Sequence, residues 1–355
     1  MGQDPVRPDP VTRGTGAGAG RKGRPSVSHA TSDPTACSVL TEEAGVTAYG
    51  TAARARFWVA LEQNGPWGRS AATDSHLDPH LGGDLDRACS EAGGRLILIR
   101  RPGSHADPHL PGPDRDSPRR CYLAWTGGPG GDRTLPEPWL RTVLLDSPEQ
   151  LRQVDLEPLA RGDVAGLAPT LVGIDECGPV LLVCTNGRRD VCCAVRGRPV
   201  AAAGHAAYPG RVWECSHTGG HRFAPTGVLL PWGRTLARLD QPAPRTLLDA
   251  ADRGLLPTEL LGPAHDRGWS ALNPEEQAAE SAVRARVGET GLASLFTSPA
   301  LAQADPREGT STVEVRHRDG RGWLVDVERR PGDSRAESCG KAHVPTFSWV
   351  ATVRA

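Results

Sequence analysis

The chain has 355 residues, with 41 Lys+Arg against 42 Asp+Glu and a formal net charge of −1. No global field therefore draws it to nucleic acid or to an anionic membrane surface. The 42 Gly and 32 Pro predict many loops, and no apolar run is long enough to span a bilayer.

Residues 1–35 are Gly, Pro, Ser, Thr and charge with almost nothing to bury, and are expected to form a disordered tail. They hold no apolar h-region, which makes a soluble, cytoplasmic protein the expectation. Ordered sequence starts near Cys37. Ala52–Glu62 is a strand or short helix that closes on the breakers Asn64-Gly65-Pro66. Leu77–Ala92 fits a helix stopped by Gly93-Gly94. Arg95–Arg100 reads as a buried strand, Pro102–Arg119 as a polar loop, and Arg120–Thr126 and Arg141–Leu145 as further strands. Alternating strand and helix predict an N-terminal α/β domain over 36–165. No internal repeat is visible.

A second unit is expected over 166–245. Pro179–Thr185 is a continuous apolar run of the interior-strand type. Asn186–Asp190 is a turn, and Val191–Ala207 a helix that must accommodate Gly197 and Pro199. Arg211–Ser216 and Thr226–Pro231 are strands on either side of a glycine-containing loop. That order suits a thioredoxin-like domain, although other α/β folds share it. The remaining stretch, 246–355, is expected as a C-terminal extension. It holds a helix over Pro274–Val287 with Asn273 as N-cap, and a β-hairpin of Thr312–Arg316 and Trp323–Glu328 around Asp319-Gly320.

The cysteines locate the chemistry. Nine in a chain of this kind are not a disulfide framework where thiols stay reduced. Five of the nine fall between Cys177 and Cys215, which points to metal or redox chemistry. Cys184 ends a strand, and Cys192 and Cys193 open a helix, where the dipole and unpaired N–H groups stabilise thiolates. His217 and His221 follow, separated by Thr-Gly-Gly, so both imidazoles can reach one metal group. Cys89, Cys121 and Cys177 read as small buried hydrophobes, and Cys215 as directed away from the histidine loop. Cys339 and His343 form a rival C-x-x-x-H pair and are read as structural. Spacing alone does not name the metal.

The stretch VCTNGRRDVCCAVRG from Val183, followed by SHTGGHRFAPTG from Ser216, resembles the sucrase/ferredoxin-like family. Cys184, Thr185, Gly187, Arg189, Asp190, Cys192, Cys193, Ala194, His217, Gly219, Gly220 and His221 carry the resemblance. Gly50-Thr51-Ala52, Glu62 and Gly65-Pro66-Trp67-Gly68 look like the family's N-terminal region, so the resemblance extends over about 36–240. It implies an α/β fold with a thioredoxin-like ferredoxin domain, preceded by the N-terminal α/β domain and followed by the helix and hairpin extension. For the branch with an H-x-x-x-H loop, it implies a 2Fe–2S cluster held by Cys184, Cys193, His217 and His221. Cys192 is the alternative ligand, and Arg189, Asp190, Gly219 and Gly220 stand as surrounding residues. Better-known thioredoxin-like ferredoxins have cysteines where this chain has the histidine pair.

Two neutral imidazoles in place of thiolates bring the oxidised cluster's formal charge from about −2 to about zero. A raised, pH-dependent potential is the expected consequence. With no G-x-G-x-x-G, Walker or flavin motif in the chain, the expectation is an electron carrier or redox component served by a separate reductase and acceptor, and not a stand-alone enzyme. Nucleic acid and membrane are not expected partners. The rival readings are a zinc-binding structural or interaction protein using the same ligands, and a metal-free thiol redox protein. The latter lacks C-x-x-C and leaves the histidine pair unexplained.

Overall fold

The computed structural model describes residue 1 and residues 33–103, 118–128, 137–167, 171–298 and 309–354. Most of the expected disordered tail, and most of the expected loop after Pro102, lie outside the described residues. Helices and strands are mixed throughout, an α/β architecture as expected.

In chain order the elements are α1 (Cys37–Glu43), β1 (Phe57–Glu62), α2 (Ala71–Asp74), α3 (Pro79–Glu91), β2 (Arg95–Arg100), β3 (Arg119–Trp125) and β4 (Trp139–Leu145). Then come α4 (Leu156–Arg161), β5 (Asp175–Glu176), β6 (Val180–Cys184), α5 (Val191–Ala207), β7 (Val212–Cys215), β8 (Gly227–Leu230) and β9 (Arg234–Leu236). Last are α6 (Ala243–Ala251), β10 (Asp266–Trp269), α7 (Pro274–Val287), β11 (Leu295–Ser298), β12 (Thr310–His317), β13 (Gly322–Ala336) and β14 (His343–Val353).

Ten strands form one sheet in the order β10-β9-β8-β6-β7-β2-β1-β3-β4-β5. The sheet runs straight across the expected boundary near residue 166. β2 pairs antiparallel with β7 through Ile99↔Cys215 and Arg100↔Glu214. The seam is short, and polar groups reinforce it. Arg100 and Glu214 form a buried ion pair at 2.8 Å, and the Arg100 guanidinium lies 3.8 Å from the Trp67 ring centroid. Ser216 extends the seam by donating its N–H to Leu98 O at 2.9 Å and accepting the Leu98 N–H on its hydroxyl at 3.1 Å.

A repeated topology stands on either side of this seam. β1 is parallel to β2, β3 is antiparallel to β1, and β4 is antiparallel to β3. Likewise β6 is parallel to β7, β8 is antiparallel to β6, and β9 is antiparallel to β8. Each set carries a helix between its first two strands, α3 in one and α5 in the other. The central strands are apolar and fully buried, Val180–Cys184 throughout its length, as an interior strand covered on both faces requires.

The second sheet, β11-β12-β13-β14, is a meander. The expected hairpin is its β12–β13 pair. Val313, Val315, Val325 and Val327 share a buried cluster with Ala278, Ala279 and Val283 of α7. α7 starts with a full capping box between Asn273 and Glu276. Burying charge in this region is offset by pairing: Arg234 contacts Asp266 and Glu280, and Arg284 contacts Glu280 at 2.7 Å.

Candidate metal centre

The N-terminus of α5 decides where the adjacent cysteines go. Asp190 is the N-cap, its carboxylate accepting the Cys192 N–H at 2.8 Å. Cys192 and Cys193 are then consecutive in the first turn, and consecutive helical residues do not share a face. Cys193 is fully buried beside Cys184 and Cys215, in a cluster with Trp213 and Val228. Cys192 turns the other way, into a small cluster with Cys37, Ala224 and the partly buried Cys339.

Cys184 ends β6 in register with Cys215 of β7, its sulfur 3.9 Å from Ser216 O. α5 can lie this close because position 197 is glycine: a Cβ there would meet Cys184 O at 2.3 Å. The next residue, Thr185, donates its hydroxyl to Glu214 at 2.9 Å, which ties the C-T step to the seam ion pair. The Cys193 thiol, then nearby His217, hold the Cys184 pKa well below the usual thiol range. The Cys184 thiol and burial push Cys193 well above it.

His217 follows the seam residue Ser216, and Gly219 and Gly220 take positive φ, +78° and +65°. Arg267 braces this turn. It donates to Gly219 O at 3.0 Å, to the Thr51 hydroxyl at 3.0 Å and to Thr51 O. A Cβ at Gly220 would meet the Arg267 guanidinium at 2.3 Å, so a glycine is needed there for space as well as for φ. The two imidazoles stack with centroids 6.0 Å apart and planes 30° from parallel. Nδ1 of His217 and both ring nitrogens of His221 are buried without a hydrogen-bond partner. Burial holds the His221 pKa below the usual value, against the opposing Asp190 carboxylate, 3.8 Å from Nε2.

Both N-terminal motif fragments sit against these loops. Thr51 of Gly50-Thr51-Ala52 accepts from Arg267, Gly65 O accepts from Arg100 at 2.7 Å, and Gly68 O accepts from Asn186 at 3.1 Å. Arg189 lies half-buried on the turn before Asp190, while Gly219 and Gly220 lie in the histidine loop. Cys215 is buried in the core cluster that also holds Cys184 and Cys193. Cys89 and Cys121 are buried in a separate core cluster.

The structure also gathers residues that the sequence did not. Among the described residues, Cys37, Asp190, Cys192 and Cys339 place ligand atoms all within 4.8 Å of one another, as a metal ion requires. No three of Cys184, Cys193, His217 and His221 do so. The Cys192 sulfur lies 3.6 Å from Cys37 and 3.2 Å from Cys339, and those two are 3.6 Å apart. Asp190 also accepts from the Ser338 hydroxyl at 2.7 Å and the Cys339 N–H at 2.9 Å. Burial would raise the Asp190 pKa, but these donors and the Cys192 N–H hold it below the usual carboxylate range. Cys37 lowers the Cys192 pKa to about 6, and burial raises Cys339 to about 11. The sequence pairs Cys339 with His343 in a structural C-x-x-x-H spacing and marks Cys37 only as the start of ordered sequence. They stand 302 residues apart, with no spacing to flag them.

Among the described residues no helix is long and apolar enough to cross a membrane. Comparison with curated proteins and with solved structures finds no match. The family comparison does: residues 133–260, which contain Cys184, Cys193, His217 and His221 but neither Cys37 nor Cys339, match the sucrase/ferredoxin-like family model.

Proposed function

We propose that Cys184, Cys193, His217 and His221 hold a 2Fe–2S cluster and that the protein is an electron carrier. The observation that carries this reading is the set of buried imidazole nitrogens without partners beside a buried cysteine pair. Unpaired buried polar atoms are costly, so their presence calls for a ligand. No three of these four residues lie as close as one ion needs. That spread favours a group larger than the single zinc ion of the rival reading. The strand–helix–strand unit β6-α5-β7 followed by antiparallel β8 and β9 supports the thioredoxin-like assignment.

A 2Fe–2S cluster supplies one-electron transfer. Cys184 and Cys193 are 1% and 0% exposed, so they would hold the cluster from the water-free side. His217 and His221 are half-buried and form the outer side, where a partner can approach. Neutral imidazoles in place of thiolates remove about two negative charges and make electron uptake easier. The second ring nitrogen of each imidazole would be free to hold a proton beside the cluster, so the potential should fall as pH rises. Donor and acceptor are separate proteins in this reading.

Anaerobic purification with absorption spectroscopy and iron and sulfide analysis tests it. A red-brown protein with two irons and two sulfides per chain is expected. A colourless, iron-free protein that resists reconstitution overturns the proposal.

A further inference from the structure

We infer that Cys37, Cys192 and Cys339, with Asp190, form a second metal site that takes a zinc-type divalent ion. The site shares no ligand with the cysteine and histidine group proposed for the cluster, which it adjoins through Asp190, 3.8 Å from His221 Nε2, and its case does not depend on that cluster. Three thiols converge from the first described helix, the start of α5 and the stretch after β13. Their sulfurs make a near-equilateral triangle with sides of 3.2, 3.6 and 3.6 Å.

The triangle is what separates a metal site from packed thiols or a disulfide. Bonding any two sulfurs to each other would strand the third. Three thiolates around zinc, with Zn–S near ~2.3 Å, stand roughly 3.8 Å apart. The sulfurs here need to spread by about 0.2 Å on two sides of the triangle and about 0.6 Å on the third. A tetrahedral ion takes a fourth ligand, and Asp190 supplies it. Its two oxygens lie 3.9 and 3.8 Å from the Cys37 sulfur. A carboxylate has about four acceptor positions. Cys192 N–H, Ser338 hydroxyl and Cys339 N–H fill three, which leaves one for a metal. A mixed set of sulfur and carboxylate suits zinc better than a fully soft ion. The positive end of the α5 dipole offsets part of the charge of the ligands.

The ion would act as a clasp. Binding it fixes the α1 segment and the 334–340 stretch against the N-terminus of α5, the same helix start that presents Cys193. Arg222, next to His221, pairs with Glu337 at 3.3 Å, so the clasped stretch also covers the histidine loop.

The test is elemental analysis of the purified full chain, with Cys37→Ser, Cys339→Ser and, as a control, Cys177→Ser. One zinc per chain is expected in the wild type and the control, and none in the other two variants, with iron and visible spectrum kept. Far-UV circular dichroism checks that the variants fold. Adding Co2+ to chelator-treated protein should give thiolate-to-cobalt charge-transfer and tetrahedral d–d bands that Cys37→Ser lacks. No zinc and no cobalt bands in the wild type, or zinc unchanged in both variants, overturns the proposal. So does a mass-mapped disulfide within the trio, or loss of iron from Cys37→Ser. Cysteine-dependent zinc in an iron-free protein would sink the cluster reading and leave this one standing.

Discussion

Asp190→Ala removes the one carboxylate that joins the α5 start to the 334–340 stretch. Three donors lose their acceptor: Cys192 N–H, Ser338 hydroxyl and Cys339 N–H. An N-cap lost to alanine costs about 1 kcal/mol. Hydrogen bonds to a charged acceptor contribute roughly 1.5–3 kcal/mol each. Ser338 and Cys339 are only half-buried, so water replaces part of those two, and about 1 kcal/mol each is the better figure. For the metal-free protein the sum is about 3 kcal/mol against a typical domain stability of roughly 5–15 kcal/mol. Asp190→Asn keeps one acceptor oxygen but loses the charge that strengthens its hydrogen bonds, and should lose about 1 kcal/mol. Denaturant unfolding gives the global effect, and amide hydrogen exchange over residues 334–340 gives the local one. Faster exchange there in Asp190→Ala, with the central strands still protected, is the expected pattern. Wild-type stability within about 0.5 kcal/mol, a surface-like effect, together with unchanged exchange over 334–340 would refute the linking role.

Gly197→Ala places a methyl 2.3 Å from Cys184 O. It should cost about 1–3 kcal/mol by overpacking and, by moving α5 off β6, lower the iron content per folded chain. Gly220→Ala, at φ +65° against Arg267, should cost at least about 1 kcal/mol, read by denaturant unfolding. Arg234→Met leaves Asp266 and Glu280 buried without that partner. It should destabilise by about 3–5 kcal/mol while folded protein keeps its iron. The midpoint potential should fall with rising pH somewhere between about pH 6 and 10, and His217→Cys should lower it; a flat profile would remove the proton from the account.

Local patterns in the sequence are strong where burial and capping agree. Arg95–Arg100, Val191–Ala207 and Pro274–Val287 occupy the residues anticipated for them, because apolar runs, the Asp190 cap and the Asn273 box each act within a turn or two. The repeated strand order about the β2–β7 seam left no trace in the sequence. Topology constrains burial and leaves side-chain identity free: the residue ending β1 is Glu62, where β6 ends in Cys184. The β2–β7 seam was not legible either, because Arg100 and Glu214 bury as a pair only once the two strands meet.

The site divides in the same way. Cys184, the Cys192-Cys193 step and the histidine loop lie within one short segment with local signals. What each adjacent cysteine meets, Cys37 and Cys339 in the case of Cys192, comes from far away in the chain. Arg267, which braces the histidine loop, likewise comes from β10 and carries no motif.

Hyperfine spectroscopy of the dithionite-reduced protein, carrying 15N-histidine, tests the central claim most directly. Two nitrogen couplings to the reduced cluster are expected, with one lost in His217→Cys and the other in His221→Cys. A paramagnetic cluster without nitrogen couplings, or no cluster signal at all from reconstituted protein, would contradict ligation by the histidine pair.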